Sequence, residues 1–351
     1  MQAAFFVLDN YLMTNILLLC GGDGAEHSVS LVSADFLESK LKKNSDFNVL
    51  RVTIHDHHFV LADGQFGSFD ADGNFCYGTQ LFKVDCVVPC IHGIPGETGD
   101  IQSFLDILNI PFIGCGAEAS RNCFNKISTK LYLTALGIPN TPFAILAADN
   151  DVYHAKAEAF FDEHHGDVYV KAASQGSSVG CYHVTDKEEL HKKITEAFGY
   201  SSEVILEKNI IHRELEVAVY ELNGELKVTT PGEIIMPENV FYTYEEKYSK
   251  DSATVTTVEP QGLEEKVVEE IRDYARRAFV GLKLCDLSRI DFFLSKDDGI
   301  LLNEINTFPG ETPISMFPKL LEHNGDTMED FLSCAIAKAV ADSDQYFLRI
   351  N

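Results

Sequence analysis

The chain has 351 residues, which is too long for one ordinary hydrophobic core, so about two or three domains are expected. Apolar residues make up 45% and charged residues 23%, as in an ordinary soluble globular protein. A formal charge of −26 argues against a surface for nucleic acid or anionic membranes, because both require clustered Lys and Arg. No run approaches about 18 apolar residues, so no membrane span is expected. The negative charge of the chain repels phosphates, so any phosphate site must be formed by positively charged or N–H groups placed locally.

The amino-terminal residues and the cysteines bear on where the protein works. Residues 1–13 contain no Lys or Arg and no small-residue cleavage site, so a secretory signal is not expected. Met13 directly precedes the first good strand, so it could be a second start, with residues 1–12 a dispensable extension. The nine cysteines lie mostly in apolar runs without a C-x-x-C pair. This favours buried, reduced thiols in a cytoplasmic protein.

The first third of the chain alternates strands with helices. Buried strands are predicted at residues 15–20 and 84–90, helices at residues 29–41 and 101–108, and the start of another strand at residues 111–113. This alternation predicts an α/β domain with a parallel sheet covered on both faces and ligand-binding loops at the carboxyl ends of its strands. Gly-rich turns follow the two buried strands, but neither is a dinucleotide fingerprint.

The rest of the chain reads as α+β, and three domains are predicted over residues 1–121, 122–210 and 211–351. Further predicted elements are a helix at 126–136, strands at 168–171, 204–207, 214–220 and 226–230, an amphipathic helix at 263–278 and a helix at about 327–340.

Two segments near the carboxyl terminus, residues 288–293 and 302–306, alternate polar and apolar residues as a strand with one solvated face does. A turn signal at residues 297–299 between them predicts a β-hairpin. Gly299 also suits a bulged three-residue loop, which would shift the register by one residue. A loop centred between the two aspartates instead pairs Asp291 with Glu304 and Arg289 with Asn306.

In that register three oxygen ligands, from Asp291, Glu304 and Asn306, share a face with the guanidinium of Arg289. Such hard ligands suit Mg²⁺, which is usually held by one or two carboxylates together with substrate phosphates. The hairpin therefore predicts nucleotide chemistry. Taken alone, the hairpin is better explained as a solvated face that carries acidic residues by chance, and the other motifs of the chain are needed to favour a metal site.

A second motif is a strand that ends at Lys171 and is followed by the small residues 176–180. Small residues in a tight turn expose backbone N–H groups that bind anions, and Lys171 can add a charge on phosphates. The segment is not a Walker loop, because it lacks the G-x-x-x-x-G-K-[ST] spacing. By itself an ordinary hairpin turn explains it better, but a candidate Mg²⁺ hairpin in the same chain favours a phosphate loop.

Other polar segments allow two interpretations each. Residues 207–210 end a strand and could present backbone groups to adenine and a carboxylate to ribose, or could be a charged connector. Glu26 follows the first Gly turn and could be only a helix-cap carboxylate. The tract at residues 55–58, rich in His, has the wrong spacing for a metal site and reads as a solvated loop. Lys247 and Tyr248 lie in a long polar loop, residues 241–252, typical of a lid.

These motifs, in this order and spacing, resemble the ATP-grasp superfamily and, within it, the D-alanine–D-alanine ligases. The resemblance runs from about residue 14 to the carboxyl terminus and implies a Rossmann-like amino-terminal domain followed by a two-lobed ATP-grasp fold, with its lid and metal-binding hairpin in the last domain. It is carried by Gly21-Gly22, Glu26-His27-Ser28-Val29-Ser30-Leu31, His92-Gly93, Gly96-Glu97, Asn125-Lys126, Lys171, Gly176 to Gly180, Tyr244-Glu245-Glu246-Lys247-Tyr248, Arg289-Ile290-Asp291 and Asn303-Glu304-Ile305-Asn306-Thr307-Phe308-Pro309-Gly310.

The resemblance implies nucleotide-binding roles for matched positions. Lys126, Lys171, Ser177, Ser178 and Val179 would hold the ATP phosphates, with Lys247 of the lid over the transferred phosphate. Glu207, Lys208, Ile210 and Glu214 would hold adenine and ribose. Asp291, Glu304 and Asn306 would hold two Mg²⁺ ions, or Mn²⁺.

It also implies roles toward two D-alanine molecules. Glu26, Val29 and His92 would bind the first D-alanine, and Glu26 would form a hydrogen-bonded triad with Ser177 and Tyr248. Arg289 and the Gly310 N–H would line the oxyanion hole, and Ser315 and Met316 would bind the second D-alanine.

The implied activity is ATP-dependent ligation of two D-alanines through a D-alanyl phosphate, for peptidoglycan precursors, in a cytoplasmic homodimer without nucleic-acid or membrane partners. A sister ligase that uses D-lactate or D-serine, or a non-catalytic ATP-binding relative, are the alternatives. Tyr248 favours an amine acceptor, because family members that use D-lactate carry His near this position. Departures from the family pattern at Thr98, Ala172, Gln175 and residues 313–314 bear on fine substrate preference.

Overall fold

The computed structural model describes residues 13–235 and 254–350, with side chains described up to residue 342. Its strands form three sheets, and residues of all three or of the loops that follow them line a cavity. None of the helices in this part of the chain is long and apolar enough to cross a membrane.

Short and long strands alternate with helices along the described part of the chain. The strands are β1 Thr14–Gly21, β2 Phe47–His55, β3 His58–Val60, β4 Phe66–Phe69, β5 Phe75–Tyr77, β6 Gln80–Phe82, β7 Cys86–Pro89, β8 Phe143–Leu146, β9 Val168–Ala172, β10 Cys181–Val184, β11 Val204–Lys208, β12 Arg213–Leu222, β13 Glu225–Val228, β14 Gly232–Ile235, β15 Val255–Thr257, β16 Leu287–Ser295 and β17 Gly299–Asn306. The helices are α1 His27–Leu41, α2 Asp100–Ile107, α3 Ala117–Phe124, α4 Lys126–Ala135, α5 Asp151–Glu163, α6 Lys187–Phe198, α7 Glu265–Gly281, α8 Met316–His323 and α9 Met328–Ile350.

The first sheet has the strand order β6-β5-β4-β3-β2-β1-β7, and β1 pairs in parallel with both β2 and β7. The parallel pairing of β1 with β7 confirms the predicted parallel sheet, but β2 was not among the predicted strands. Four short strands, β3 to β6, extend the sheet beyond β2 as an antiparallel meander that the sequence pattern did not predict. The strand predicted at residues 111–113 is reduced to a single parallel bridge between Phe112 and Val87.

Alternate side chains of β1 explain why both faces of the first sheet are covered. Ile16 and Leu18 pack on the side of α1, whereas Leu17 and Leu19 pack with Ile101 of α2 on the other side. Successive residues of a strand point to opposite faces, so an uninterrupted apolar run is what a doubly covered strand requires.

The second sheet is antiparallel, in the order β10-β9-β11-β8, and α5 and α6 cover one of its faces. Side-chain caps fix where the helices of this region begin, because the Oδ1 atoms of Asn125 and Asn150 accept from Ser128 N at 2.9 Å and Tyr153 N at 3.2 Å. The third sheet has the order β15-β14-β12-β16-β17, with β13 paired to β12.

One hydrophobic core joins the first sheet to the third. It contains Ile16 and Leu18 of β1, Tyr220 of β12, and Phe317 and Phe331 of the carboxyl-terminal helices. The second sheet has a separate core, built from β8 to β11 with α5 and α6. The cavity therefore lies between a two-sheet unit and a one-sheet unit.

Candidate active site

The cavity has a volume of about 480 Å³ and receives side chains from all three sheets or the loops that follow them. The predicted site residues that line it lie far apart in the chain. They are Glu26, His92, Lys126, Ser177, Arg289, Glu304, Asn306, Gly310, Ser315 and Met316.

The hairpin of β16 and β17 has the predicted register at its cavity end, where Arg289 faces Asn306 and Asp291 faces Glu304. Near the turn, however, Ser295 pairs with Gly299, so the loop is the three-residue alternative. A bulge between positions 291 and 292 absorbs the one-residue difference. Gly299 has φ 75°, which explains the glycine at this turn.

Asp291 is the centre of a polar cluster on this hairpin. Its carboxylate accepts two hydrogen bonds from Arg289, at 2.8 Å each, and one from Asn306 Nδ2 at 2.9 Å. Glu216 of the neighbouring strand β12 lies directly beside Asp291 in register and places Oε1 3.3 Å from Arg289 Nε. Glu216 is buried and lines the cavity, and no sequence motif drew attention to it.

The segment between β9 and β10 is a hairpin turn that also lines the cavity. It joins two antiparallel strands, as a hairpin turn does, and its residues Gln175, Gly176 and Ser177 line the cavity. Ser177 and Ser178 have φ values of 48° and 61°, and this left-handed backbone is uncommon outside glycine. Lys126 Nζ donates to Gln175 O at 2.5 Å and so ties α4 to this loop.

Lys171, at the end of the strand before that loop, donates from Nζ to Glu207 Oε2 at 2.8 Å. A second lysine, Lys130, lies 3.3 Å from Glu207 Oε1 and is almost completely buried. Burial favours the neutral form of Glu207, but the two ammonium groups outweigh it and lower its pKa to about 2. Lys130 was not among the predicted residues; the available signal was a lysine one turn after Lys126 on the buried face of α4.

Glu26 occupies the N-cap position of α1, but its side chain makes no capping hydrogen bond. Instead, Ser177 Oγ donates to Glu26 Oε1 at 2.5 Å, across 151 residues of sequence. A Cβ added at Gly176 or Gly93 would come within 2.7 Å or 2.9 Å of Glu26 Oε2, so both positions need glycine for this approach.

A second acid, Glu97, lines the same end of the cavity and accepts from Gly93 N at 2.8 Å. Burial, together with the negative charge of Glu26, raises the pKa of Glu97 to about 8. The sequence placed Glu97 only within a motif, without a role.

His92 is buried, and both of its ring nitrogens have partners. Phe308 O lies 3.2 Å from Nδ1 and can only accept, so Nδ1 carries the proton in the neutral ring. Nε2 then accepts from Ser33 Oγ at 2.7 Å, and Ser33 Oγ accepts from Glu311 N at 3.2 Å. Burial lowers the pKa of His92, which agrees with a neutral imidazole. His92 thus anchors the loop after β17 to α1.

Glu311, the next residue after Gly310, has a fully buried side chain. Neither of its carboxyl oxygens has a hydrogen-bond partner within the described part of the chain. Burial raises the pKa of Glu311 well above the usual range, against an opposing effect of Arg289.

At the opposite end from Glu26, the loop after β17 leads into α8. A Cβ on Gly310 would lie 3.0 Å from Ser315 Oγ, which also contacts Thr312 N at 3.1 Å and Thr312 Oγ1 at 2.8 Å. Lys319, one turn further along α8, lines the cavity as well.

Several predicted residues lie outside the lining of this cavity. Lys208 donates to Asp298 Oδ1 at 2.6 Å and so connects the second sheet to the hairpin turn. The His-rich tract at residues 55–58 is exposed, as a solvated loop should be. Lys247 and Tyr248 lie outside the described residues. The remaining members of the predicted set that do not line the cavity are Val29, Lys171, Ser178, Val179, Glu207, Ile210, Glu214 and Asp291.

Comparisons with known proteins agree with this arrangement. Residues 15–115 match the model described as D-ala D-ala ligase N-terminus, and residues 132–337 match D-ala D-ala ligase C-terminus. A D-alanine–D-alanine ligase of Tolumonas auensis is 54% identical over 326 residues, covering 93% of this chain and 98% of that protein.

Solved structures are similar over nearly the whole chain. The crystal structure of D-alanyl-alanine synthetase A from Vibrio cholerae has a TM-score of 0.90 at 48% identity, covering 94% of this chain and 99% of that one. The D-alanine–D-alanine ligase from Coxiella burnetii has a TM-score of 0.83 at 29% identity, and 97% of each chain is covered. The fold is therefore that of an ATP-grasp ligase, as expected. Within that class, the chain belongs to the D-alanine–D-alanine ligase family, whose members are ATP-dependent ligases.

Proposed function

We propose that this protein joins two D-alanine molecules into D-alanyl-D-alanine at the expense of ATP, through a D-alanyl phosphate. The observation that supports this best is the cluster around the hairpin. Arg289 and Asn306, which both donate to Asp291, line the same cavity as Glu26 and as Ser177, which donates to Glu26. The product would serve peptidoglycan precursor synthesis.

A carboxylate does not react with an amine at neutral pH without activation, so the first step makes an acylphosphate. The carboxylate oxygen of the first D-alanine attacks the γ-phosphorus of ATP, and ADP leaves. Glu26 would hold the ammonium of this D-alanine, because it is the carboxylate that Ser177 already orients. Lys126 lies at the Ser177 loop and would neutralise phosphate charge there. Lys171, Ser178 and Val179 would complete the phosphate set.

In the second step the amine of the second D-alanine attacks the acylphosphate carbonyl, and phosphate leaves. Arg289 and the Gly310 N–H would donate to the oxyanion. Ser315 and Met316, at the beginning of α8 beside Gly310, would bind the acceptor. Losing one such oxyanion donor typically costs about 2.7–4 kcal/mol, or roughly 10²–10³ in rate.

The donor set of the hairpin fits Mg²⁺ or Mn²⁺. Asp291, Glu304 and Asn306 supply hard oxygen atoms from two paired strands, and Asp291 lies opposite Glu304 in register. When two such ions are bound, they offset charge on the transferring phosphoryl group. The residues themselves hold the hairpin face in shape, since Asn306 and Arg289 both donate to Asp291.

Further roles follow from membership of the family. Glu207, Lys208, Ile210 and Glu214 would bind adenine and ribose. Lys247 and Tyr248 would close over the reacting groups and exclude water, because acylphosphates hydrolyse. Val29 and His92 would bound the first D-alanine subsite. The division into domains over residues 1–121, 122–210 and 211–351, the homodimer and the cytoplasmic location also belong to the proposal.

Phosphate release from ATP and Mg²⁺ tests this function, with D-alanine as substrate and L-alanine as the control. D-Lactate and D-serine are offered as acceptors in parallel, and D-alanine should be used best. Arg289→Ala should lower turnover by roughly 10²–10³. Arg276→Ala, an exposed arginine on α7, is the matched control and should leave turnover unchanged. Release that does not depend on D-alanine would refute the proposal.

A further inference from the structure

Lys319 is a half-buried cation in the cavity wall to which neither the family resemblance nor the proposed function gives a role. It belongs to α8 and lines the cavity together with Ser315, Met316 and Glu216. Its Nζ donates to a neutral group, Thr256 Oγ1, at 2.9 Å. Within the described residues it takes part in no ion pair, although the negative charge of Glu216, which is itself paired with Arg289, acts on it.

The other cations of the cavity wall are already engaged. Arg289 is held by Asp291 and Glu216. Lys126 donates to Gln175 O in the loop that carries Ser177. Among the cations that line the cavity in the described part of the chain, Lys319 is therefore the one on α8 that could meet an anionic substrate group.

The geometry of α8 brings this charge to the place where an acceptor would bind. Ser315 immediately precedes the helix and Lys319 lies four positions later, so both project from one face of the helix. The backbone N–H groups of Met316 and Phe317 are at the helix amino terminus, where negative charge is stabilised, whereas Pro318 has no N–H. A hydroxyl, free N–H groups and an ammonium thus converge on one small region.

An acceptor amino acid that attacks as a neutral amine keeps one charge, that of its carboxylate. Burial lowers the pKa of Lys319 despite the opposing effect of the negative charge of Glu216, because an ammonium is kept partly out of water. A carboxylate ligand would offset that cost.

On the basis of the proposed function, we propose that Lys319 determines acceptor specificity by binding the carboxylate of the second D-alanine. The site would then select acceptors in which a carboxylate lies one carbon from the attacking amine. Thr256, in β15, would hold the ammonium in place before the acceptor arrives.

A competition assay tests this with the full-length protein. ATP, Mg²⁺ and D-alanine are mixed with D-alaninamide, which has the same amine but no carboxylate. Both acceptors compete for one acylphosphate, so the ratio of dipeptide to dipeptide amide, measured by mass spectrometry, is independent of ATP and donor binding. Lys319→Met should lower this ratio by about 10- to 100-fold, the size of a lost charge-assisted hydrogen bond.

Two further variants separate specificity from a structural role. Lys319→Arg keeps the charge and should restore most of the preference for D-alanine. Thr256→Val removes the hydroxyl but keeps the ammonium, so its product ratio should stay within about threefold of the unmodified protein. If Lys319→Met is poorly folded by circular dichroism, Lys319→Gln takes its place.

A Lys319→Met ratio equal to that of the unmodified protein would overturn the inference, and so would the loss of both products in parallel in a folded variant. Failure of the proposed function looks different. In that case the unmodified protein itself makes neither product.

Discussion

Replacing Glu311 with glutamine is expected to stabilise the protein. The side chain is fully buried, and neither carboxyl oxygen has a partner among the described residues. A buried polar group without partners costs about 1–3 kcal/mol. Glu311→Gln keeps the shape of the side chain and removes only its ionisation. Glu311→Met removes the unsatisfied polar atoms as well, so it shows the full cost of burying them. For a chain of this size, we expect the melting temperature of Glu311→Met to be higher by roughly 2–6 °C.

The pH dependence follows from the raised pKa of Glu311. The folded protein keeps the proton, whereas the unfolded chain releases it above a pKa of about 4.3. Above that pH the unfolded state binds fewer protons, so the stability of the natural protein falls as pH rises, by up to about 1.4 kcal/mol per pH unit, until the folded pKa is passed. Glu311→Gln removes this loss, so its advantage should grow between pH 5 and pH 8.

Thermal unfolding followed by circular dichroism gives the melting temperatures of the natural protein and of Glu311→Gln over this pH range. The other titrating groups are the same in both proteins, so their effects cancel in the difference between the two melting temperatures. Glu163→Gln, at an exposed position in α5, is the matched control and should give no trend. A Glu311→Gln protein that melts lower than the natural one, or whose advantage does not change with pH, would refute the reasoning.

Three further predictions concern other acids and a buried lysine. Glu304→Gln should abolish Mg²⁺-dependent ADP release, and an active variant would remove Glu304 from the metal set. Glu97, with a pKa of about 8, is mostly protonated at pH 7 and becomes negatively charged as the pH rises. The KM for the first D-alanine should therefore fall between pH 6.5 and pH 9. Glu97→Gln should flatten this pH profile, and an unchanged profile in the variant would show that Glu97 does not cause it. Lys130→Met leaves Glu207 with Lys171 alone and should cost about 3–5 kcal/mol in urea unfolding, as breaking a buried pair does. The double variant Lys130→Met with Glu207→Gln should recover part of that loss, and a double variant less stable than the single one would count against the ion-pair account.

The sequence predicts those parts of the site in which polar and apolar residues alternate with the period of a strand. The alternation in β16 and β17 identified Asp291 facing Glu304, because a strand period fixes which residues share a face. The bulge that reconciles this pairing with the shorter turn has no such signature. The meander β3 to β6 was missed since its strands have only three or four residues, too few to show a period.

Part of the chemistry depends on contacts between distant segments, which no local pattern reveals. The hydrogen bond from Ser177 to Glu26, across 151 residues, was expected only from the family resemblance, and the contact of Lys130 with Glu207 was not expected at all. Glu311 resembles any polar residue after a glycine, and only its burial makes it unusual. The sequence shows which side chains can ionise or form hydrogen bonds. Only the structure shows which of them are buried and which partners they have.

The single hydrophobic core shared by the first and third sheets has a mechanical consequence. Helix α1, which begins next to Glu26, and helix α8, which follows Ser315, pack into the same core. A cavity-forming substitution such as Phe317→Ala would therefore loosen the donor and acceptor ends at once. The second sheet is independently packed, and Ser177 and Lys208 provide two of its polar links to the rest. Proteolysis of the native protein should accordingly release the second sheet as a separate unit. The first and third sheets should resist the protease, or be cleaved by it, together.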